Sequence, residues 1–159
     1  AANNTAGADA IVFAIAGTGV HTINLLSALP TIDDAVIIDA STDDSFAANG
    51  NRPAVVLNGG GTIQDGLRLY AGSDGSTIRG LVIRDFTSHG INLAGSGGHT
   101  IAGNWIGLDD AGTGAAGNAY GINLWNSSGN LIGGSTAADR NVVSGNTIDG
   151  ILVSTDNGT

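Results

Sequence analysis

The sequence contains no lysine, no glutamate, no cysteine and no methionine. A chain of 159 residues at average usage would carry roughly ten Lys and ten Glu, so the bias is strong. Without cysteine there is no disulfide framework, no thiolate metal site and no cysteine nucleophile. Without lysine there is no Schiff-base chemistry. Losing Lys and Glu together removes two good helix formers and argues against an ordinary helical domain. Positive charge is scarce: five Arg face fourteen Asp, for a net charge of −9. No basic patch of useful size can form, which excludes nucleic acid and anionic membrane surfaces as partners. Aromatics are few as well, with two Trp, two Tyr and three Phe, too few for a continuous stacking platform. No run reaches the 18 or more apolar residues of a membrane span. The apolar stretch from Ala8 to Ala16 is too short and lacks the basic flank of a signal peptide.

What remains is 27 Gly, 15 Asn, 14 Thr and 12 Ser, a composition that favours turns and short strands. These residues form a repeat. Gly66-Leu67-Arg68-Leu69, Gly90-Ile91-Asn92-Leu93, Gly121-Ile122-Asn123-Leu124 and Gly150-Ile151-Leu152-Val153 each read as a glycine turn leading into an apolar–x–apolar strand. Ile23-Asn24-Leu25 reads as an earlier, looser copy. A second strand class holds Ile78, Ile101 and Ile132. A third holds Leu81-Val82-Ile83, Asn104-Trp105-Ile106 and Asn141-Val142-Val143. The steps between first-class strands are 24, 31 and 29 residues, and the excess falls after Ile106 and after Ile132. Three short strands per repeat of this length define a coiled, triangular solenoid of about five rungs. Like residues should stack, with Ile23, Leu67, Ile91, Ile122 and Ile151 in one interior column. Asn104 and Asn141 should form an amide ladder. The whole of 1–159 reads as one domain. Residues 1–22 form a partial N-terminal cap, 40–65 an insertion carrying an extra strand (Ala54 to Asn58), and 107–118 a loop insertion.

Three groups of residues carry a family resemblance. The first runs from Ala2-Asn3-Asn4 through Gly7-Ala8-Asp9-Ala10-Ile11-Val12-Phe13, then His21-Thr22-Ile23-Asn24-Leu25 and Leu29-Pro30-Thr31-Ile32. The second is Asn104-Trp105-Ile106-Gly107-Leu108-Asp109 with Gly112 and Gly117-Asn118. The third is Asn130-Leu131-Ile132-Gly133-Gly134 with Arg140-Asn141-Val142-Val143-Ser144-Gly145-Asn146. Together they resemble the bacterial secreted or surface right-handed parallel β-helix repeat proteins of the pectate-lyase-like solenoid superfamily. The resemblance implies the right-handed coil and an extracellular or cell-surface location. It implies no single activity. Both ends of the sequence read as cut from a longer solenoid. The triplets at Asn3, Asn126 and Asn157 fit a secreted chain.

Candidate chemistry is sparse. Hydrolases of this fold need paired carboxylates, but the adjacent pair Asp109-Asp110 lies in an insertion rather than on a strand. A lyase of this fold would need a basic residue. Arg68, Arg79 and Arg84 fall near successive strands, with Arg79 and Arg84 placed to bracket Asp85, and the weightier reading is a surface salt-bridge cluster. His89 shares a column with Asp65, Tyr120 and Asp149, so Asp65 should pair with it. For a metal, oxygen ligands in glycine-rich turns suit calcium. Asp109 and Asp110 are the first candidates and Asp39, Asp43 and Asp44 the second, against the plainer reading of Asx turns. Trp105 and Trp125 are candidates for sugar stacking. The expectation is a non-catalytic extracellular structural or adhesive module. It would need no cofactor beyond this candidate calcium, and its partner would be itself, stacked end to end into filaments, or an extracellular polysaccharide. The alternative is a carbohydrate-active enzyme or glycan-binding module of the same superfamily.

Overall fold

A computed structural model describes residues 8–156. The sequence triplets at Asn3 and Asn157, and the first part of the expected N-terminal cap, lie outside the described residues. The strands are β1 (Asp9–Val12), β2 (His21–Asn24), β3 (Val36–Asp39), β4 (Val55–Asn58), β5 (Leu67–Leu69), β6 (Thr77–Arg79), β7 (Leu81–Arg84), β8 (His89–Ala94), β9 (Thr100–Ala102), β10 (Trp105–Ile106), β11 (Tyr120–Trp125), β12 (Leu131–Ile132), β13 (Val142–Val143) and β14 (Asp149–Ser154). A five-residue helix, α1 (Asp44–Ala48), and two 3-10 turns, Ala40–Thr42 and Ala137–Asp139, complete the described elements. None of these helices is long and apolar enough to cross a membrane.

The strands form three sheets, and every strand pairing is parallel. Sheet I runs β1-β3-β6-β9-β12, sheet II runs β2-β4-β7-β10-β13, and sheet III runs β5-β8-β11-β14. A parallel bridge from Ile32 to Leu69 adds a fifth level to sheet III. The chain visits sheets I, II and III in rotation, five times. Each circuit is one rung. This all-β arrangement of three parallel sheets is compatible with a solenoid.

Period-two alternation explains why such short strands hold. In β8, Ile91 and Leu93 point inward and are fully buried, and the register places them against Ile122 and Leu124 of β11. Sheet I stacks Ile38, Ile78, Ile101 and Ile132 in the same way. Sheet II stacks Leu57, Ile83, Ile106 and Val143. A strand of two or three residues has little stability alone, so the columns, in which each side chain touches the rungs above and below, hold the sheets together.

Corners are made by glycine where the geometry demands it. Gly103, between β9 and β10, has φ +67°, and the Ala138 carbonyl occupies the space a Cβ would need. The next residue, Asn104, is fully buried. Its Oδ1 accepts the Leu81 N–H at 3.0 Å and its Nδ2 donates to the Ile78 carbonyl at 3.0 Å. Asn141 repeats this one rung on. It accepts the Asn104 N–H at 2.9 Å and donates to the Ile101 carbonyl at 2.6 Å. The expected amide ladder is therefore present. A second ladder, not anticipated, lies between sheets II and III. Asn118 accepts the Phe86 N–H at 3.0 Å, and Asn146 accepts the Asn118 N–H at 3.2 Å.

The position of Ile23 corrects the sequence reading. Ile23 stands in sheet II opposite Leu57, not in the column of Leu67. The level before Leu69 in sheet III is supplied by Ile32 instead. The strand placed inside the 40–65 insertion is β4, which has a regular position between β2 and β7. What interrupts the rung is the 3-10 turn and α1. Asp43 clamps that excursion. Its buried carboxylate accepts the Ile15 N–H at 2.7 Å, the Ser45 N–H at 3.1 Å and the Ser45 hydroxyl.

Candidate functional site

The outer face of sheet III gathers most of the chemistry-bearing side chains. Three rows of side chains lie outside the core columns there, the first at the strand starts just before the glycines and the other two alternating with the columns. The first is Asp65, His89, Tyr120 and Asp149. The second is Arg68, Asn92, Asn123 and Leu152. The third is Tyr70, Ala94, Trp125 and Ser154. In the third row the small Ala94 separates two large rings, Tyr70 (37% exposed) and Trp125 (42% exposed). Between the rings lies a cleft of about 370 Å³. Its floor includes Asn92 and Asn123, which point away from the core yet are only 6% and 8% exposed. Asn123 Nδ2 donates to Asn92 Oδ1 at 3.0 Å, so the two amides form a stacked pair.

The first row does not line this cleft but is linked to it through Asn92, which hydrogen-bonds Asp65. His89 Nδ1 lies 2.8 Å from Asp65 Oδ1, and the His89 backbone N–H donates to the same oxygen at 3.2 Å. The expected Asp65–His89 pair is thus formed. Burial alone would raise the Asp65 carboxyl, but hydrogen bonds from the His89 ring, the His89 backbone and Asn92 outweigh it and hold it below the usual carboxylate range. Ser88 Oγ also lies 3.0 Å from His89 Nδ1. Tyr120 stacks on the His89 ring with centroids 5.2 Å apart. The dyad can orient one imidazole, and the amide–aromatic cleft can hold a flat ligand with hydroxyl groups along one edge.

Asp109 and Asp110 do not converge. Asp109 Oδ1 accepts the Thr113 N–H at 2.8 Å, and the Asp109 N–H donates to the Gly114 carbonyl at 2.9 Å, which closes a small hairpin. Backbone hydrogen bonds from Thr113 and Gly114 lower the Asp109 carboxyl. Asp110 instead accepts from Arg84 Nε at 2.9 Å, and Arg84 also pairs with Asp85. Arg79 does not bracket Asp85. It pairs with Asp139 at 2.8 Å across sheet I. The Asp139 carboxyl is held down to about 2 by Thr136 and Arg79. Arg68 donates to the Leu29 carbonyl at 2.9 Å. Asp39 and Asp43 each cap the turn that follows them. Among the described residues no group of three or more His, Cys, Asp or Glu is gathered around a common point.

The two tryptophans differ. Trp105 lies beneath the 107–118 loop, where Gly112 (φ +72°) sits directly against its ring and the Arg52 guanidinium stands 6.0 Å from its centroid. Trp125 is left open to solvent. Sequence reasoning named Trp125 but missed Tyr70 and the Asn92–Asn123 floor. The signal was there: Tyr70 follows Leu69 as Trp125 follows Leu124, and Asn92 and Asn123 hold the same place in their repeats.

In comparison with known proteins, the sequence matches no family model and shows no significant match among the curated proteins or the solved structures.

Proposed function

We propose that this chain is a non-catalytic, extracellular structural and adhesive module, a right-handed parallel β-helix whose sheet III face holds a neutral glycan. The observation that carries this reading is the pair Tyr70 and Trp125, set either side of Ala94 above the Asn92–Asn123 amides. Aromatic faces take the C–H faces of a sugar ring, and a few fixed amides give direction to its hydroxyls. The net charge of −9 favours a neutral glycan over an acidic one. Isothermal titration calorimetry with a panel of neutral and acidic oligosaccharides tests this. Binding of a neutral member is expected, weakened about tenfold or more by Trp125→Ala and by Tyr70→Ala, as for a central aromatic anchor. Trp105→Phe should leave it unchanged. Binding that survives both cleft substitutions would overturn the reading.

A second reading, a carbohydrate-active enzyme, draws on the Asp65–His89 dyad on the same face, where Asp65 could orient the imidazole as a base. Release of reducing ends or unsaturated products by the native chain, lost in His89→Gln, would favour it.

A further inference from the structure

The rungs of sheet III fix the spacing of the two cleft aromatics. Leu69 pairs with Leu93, and Ala94 pairs with Trp125, so Tyr70, Ala94 and Trp125 stand on three successive rungs. Adjacent parallel strands lie about 4.8 Å apart, which roots the two large side chains about 10 Å from each other with only a methyl group between them. Both rings are open to solvent. The Asn92 and Asn123 amides beneath them repeat at one rung and are held to each other by a hydrogen bond of 3.0 Å. The residues that line the cleft are Tyr70, Ala71, Asn92, Ala94, Gly95, Asn123 and Trp125, and none of them carries a charge. The row thus runs large ring, small residue, large ring, a pattern that repeats at every second rung. Its complement is a neutral molecule that advances one unit per rung and turns over at each unit.

We propose that the cleft takes an extended β-1,4-linked neutral glycan, laid across the strands of sheet III with one sugar over each rung. The inference rests on the glycan reading above and adds linkage and direction to it. In a β-1,4-linked chain of sugars joined equatorially at both ends, each sugar advances by close to one strand spacing and is turned over relative to the one before. The first and third sugars then offer the same face to Tyr70 and Trp125, two rungs apart. The middle sugar is turned the other way, and the small Ala94 leaves room for it. Asn92 and Asn123, fixed at the same one-rung spacing, meet hydroxyls on successive sugars. A β-1,3- or α-1,4-linked chain curls and loses this repeat, so it reaches one ring at a time. A chain laid along the strands would likewise cross only one ring of the pair.

Calorimetry on the full chain tests this with β-1,4-linked dimers and trimers of glucose, mannose and N-acetylglucosamine, beside the β-1,3- and α-1,4-linked glucose trimers. At least one β-1,4-linked trimer should bind about tenfold or more tighter than its own dimer, the gain from joining two contacts in one ligand. It should exceed both linkage isomers by a similar factor. Trp125→Ala and Tyr70→Ala should each bring that trimer down to the affinity the native chain has for the dimer. Tyr70→Ala should change dimer affinity by less than about twofold, since a dimer reaches one ring at a time and Trp125 remains. Thermal melts check that each variant is folded, and the dimer–trimer and linkage comparisons need no variant at all. Equal binding of dimer and trimer, or of the three linkages, would overturn linkage and direction while leaving a neutral-glycan site in place. So would failure of every β-1,4-linked trimer when another neutral glycan binds. A trimer gain that survives either substitution would also overturn the proposal. Binding of no neutral glycan would overturn both this inference and the reading it rests on.

Discussion

Asn104 hands its backbone N–H to the side-chain oxygen of Asn141, 2.9 Å away and 37 residues later in the chain. Both residues open a strand of sheet II, and the bond ties one rung to the next where the chain turns too sharply for strand pairing to continue. Asn104→Leu keeps the volume and the backbone bond to Asn141 but removes the side-chain bonds to Leu81 and Ile78. The Leu81 N–H and the Ile78 carbonyl are then buried without partners. The expected loss is about 2–6 kcal/mol, from about 1–3 kcal/mol for each of the two buried groups left unsatisfied. Urea unfolding checks it, with Gln64→Ala, at an exposed site, expected to change stability by less than about 0.5 kcal/mol.

The interior columns make a second prediction. Ile101 is fully buried between Ile78 and Ile132. Ile101→Ala should cost about 2–5 kcal/mol, the range for truncating a core aliphatic that cannot collapse. Ile148→Ala, at a site 60% exposed, should cost far less. Equal losses at the two sites in denaturant unfolding would contradict the stacking.

Stability should fall on the acid side in two stages. His99 is fully buried, with Ser96 Oγ 3.0 Å from its Nε2 and no partner for its Nδ1. Burial lowers its pKa below the ordinary 6.5, against the opposing charge of Asp74. The unfolded chain therefore takes up the proton first, and stability present above pH 6.5 is lost as the pH falls below it. Asp43 is lowered by its bonds to Ile15 and Ser45, and Asp65 by its bonds to His89 despite burial. Their contribution is present above 3.8 and is lost as the pH falls through the lowered values. His99→Gln should remove the first stage and leave the second. Unfolding free energies measured from pH 7.5 to 3 would show this.

The hairpin on the 107–118 loop depends on Asp109, whose carboxylate takes the Thr113 N–H. Asp109→Ala should open the loop to limited proteolysis and uncover Trp105, seen as a red-shifted emission. Asp110→Ala should release Arg84 without opening the hairpin. Since the two carboxylates are engaged with different partners, calcium at millimolar concentration should leave the melting temperature of the native chain unchanged.

The columns were legible because their residues repeat chemically: a glycine, then apolar–x–apolar, at Leu67, Ile91, Ile122 and Ile151. Asn104 and Asn141 were legible because both stand directly before a strand of the same class. Ile23 was misplaced because alternation has the same period in all three sheets. A single apolar–x–apolar strand says which way its side chains point and not which sheet it joins. The Asn118–Asn146 ladder was hidden by a slip. Ile122 and Ile151 are 29 residues apart, but the two asparagines are 28 apart, because the turns that follow them differ by one residue. The sheet III cleft was half legible. Trp125 is a conspicuous residue, but its partner across Ala94 becomes a partner only once three rungs are stacked.

The central claim is that the sheet III face binds a neutral glycan between Tyr70 and Trp125. Amide and side-chain NMR shifts recorded during titration with a neutral oligosaccharide test it most directly. The account predicts that the Trp125 indole, the Tyr70 ring and the Asn92 and Asn123 side-chain amides move together and saturably. No saturable shift with any neutral glycan, or shifts confined to the 107–118 loop and Trp105, would contradict it.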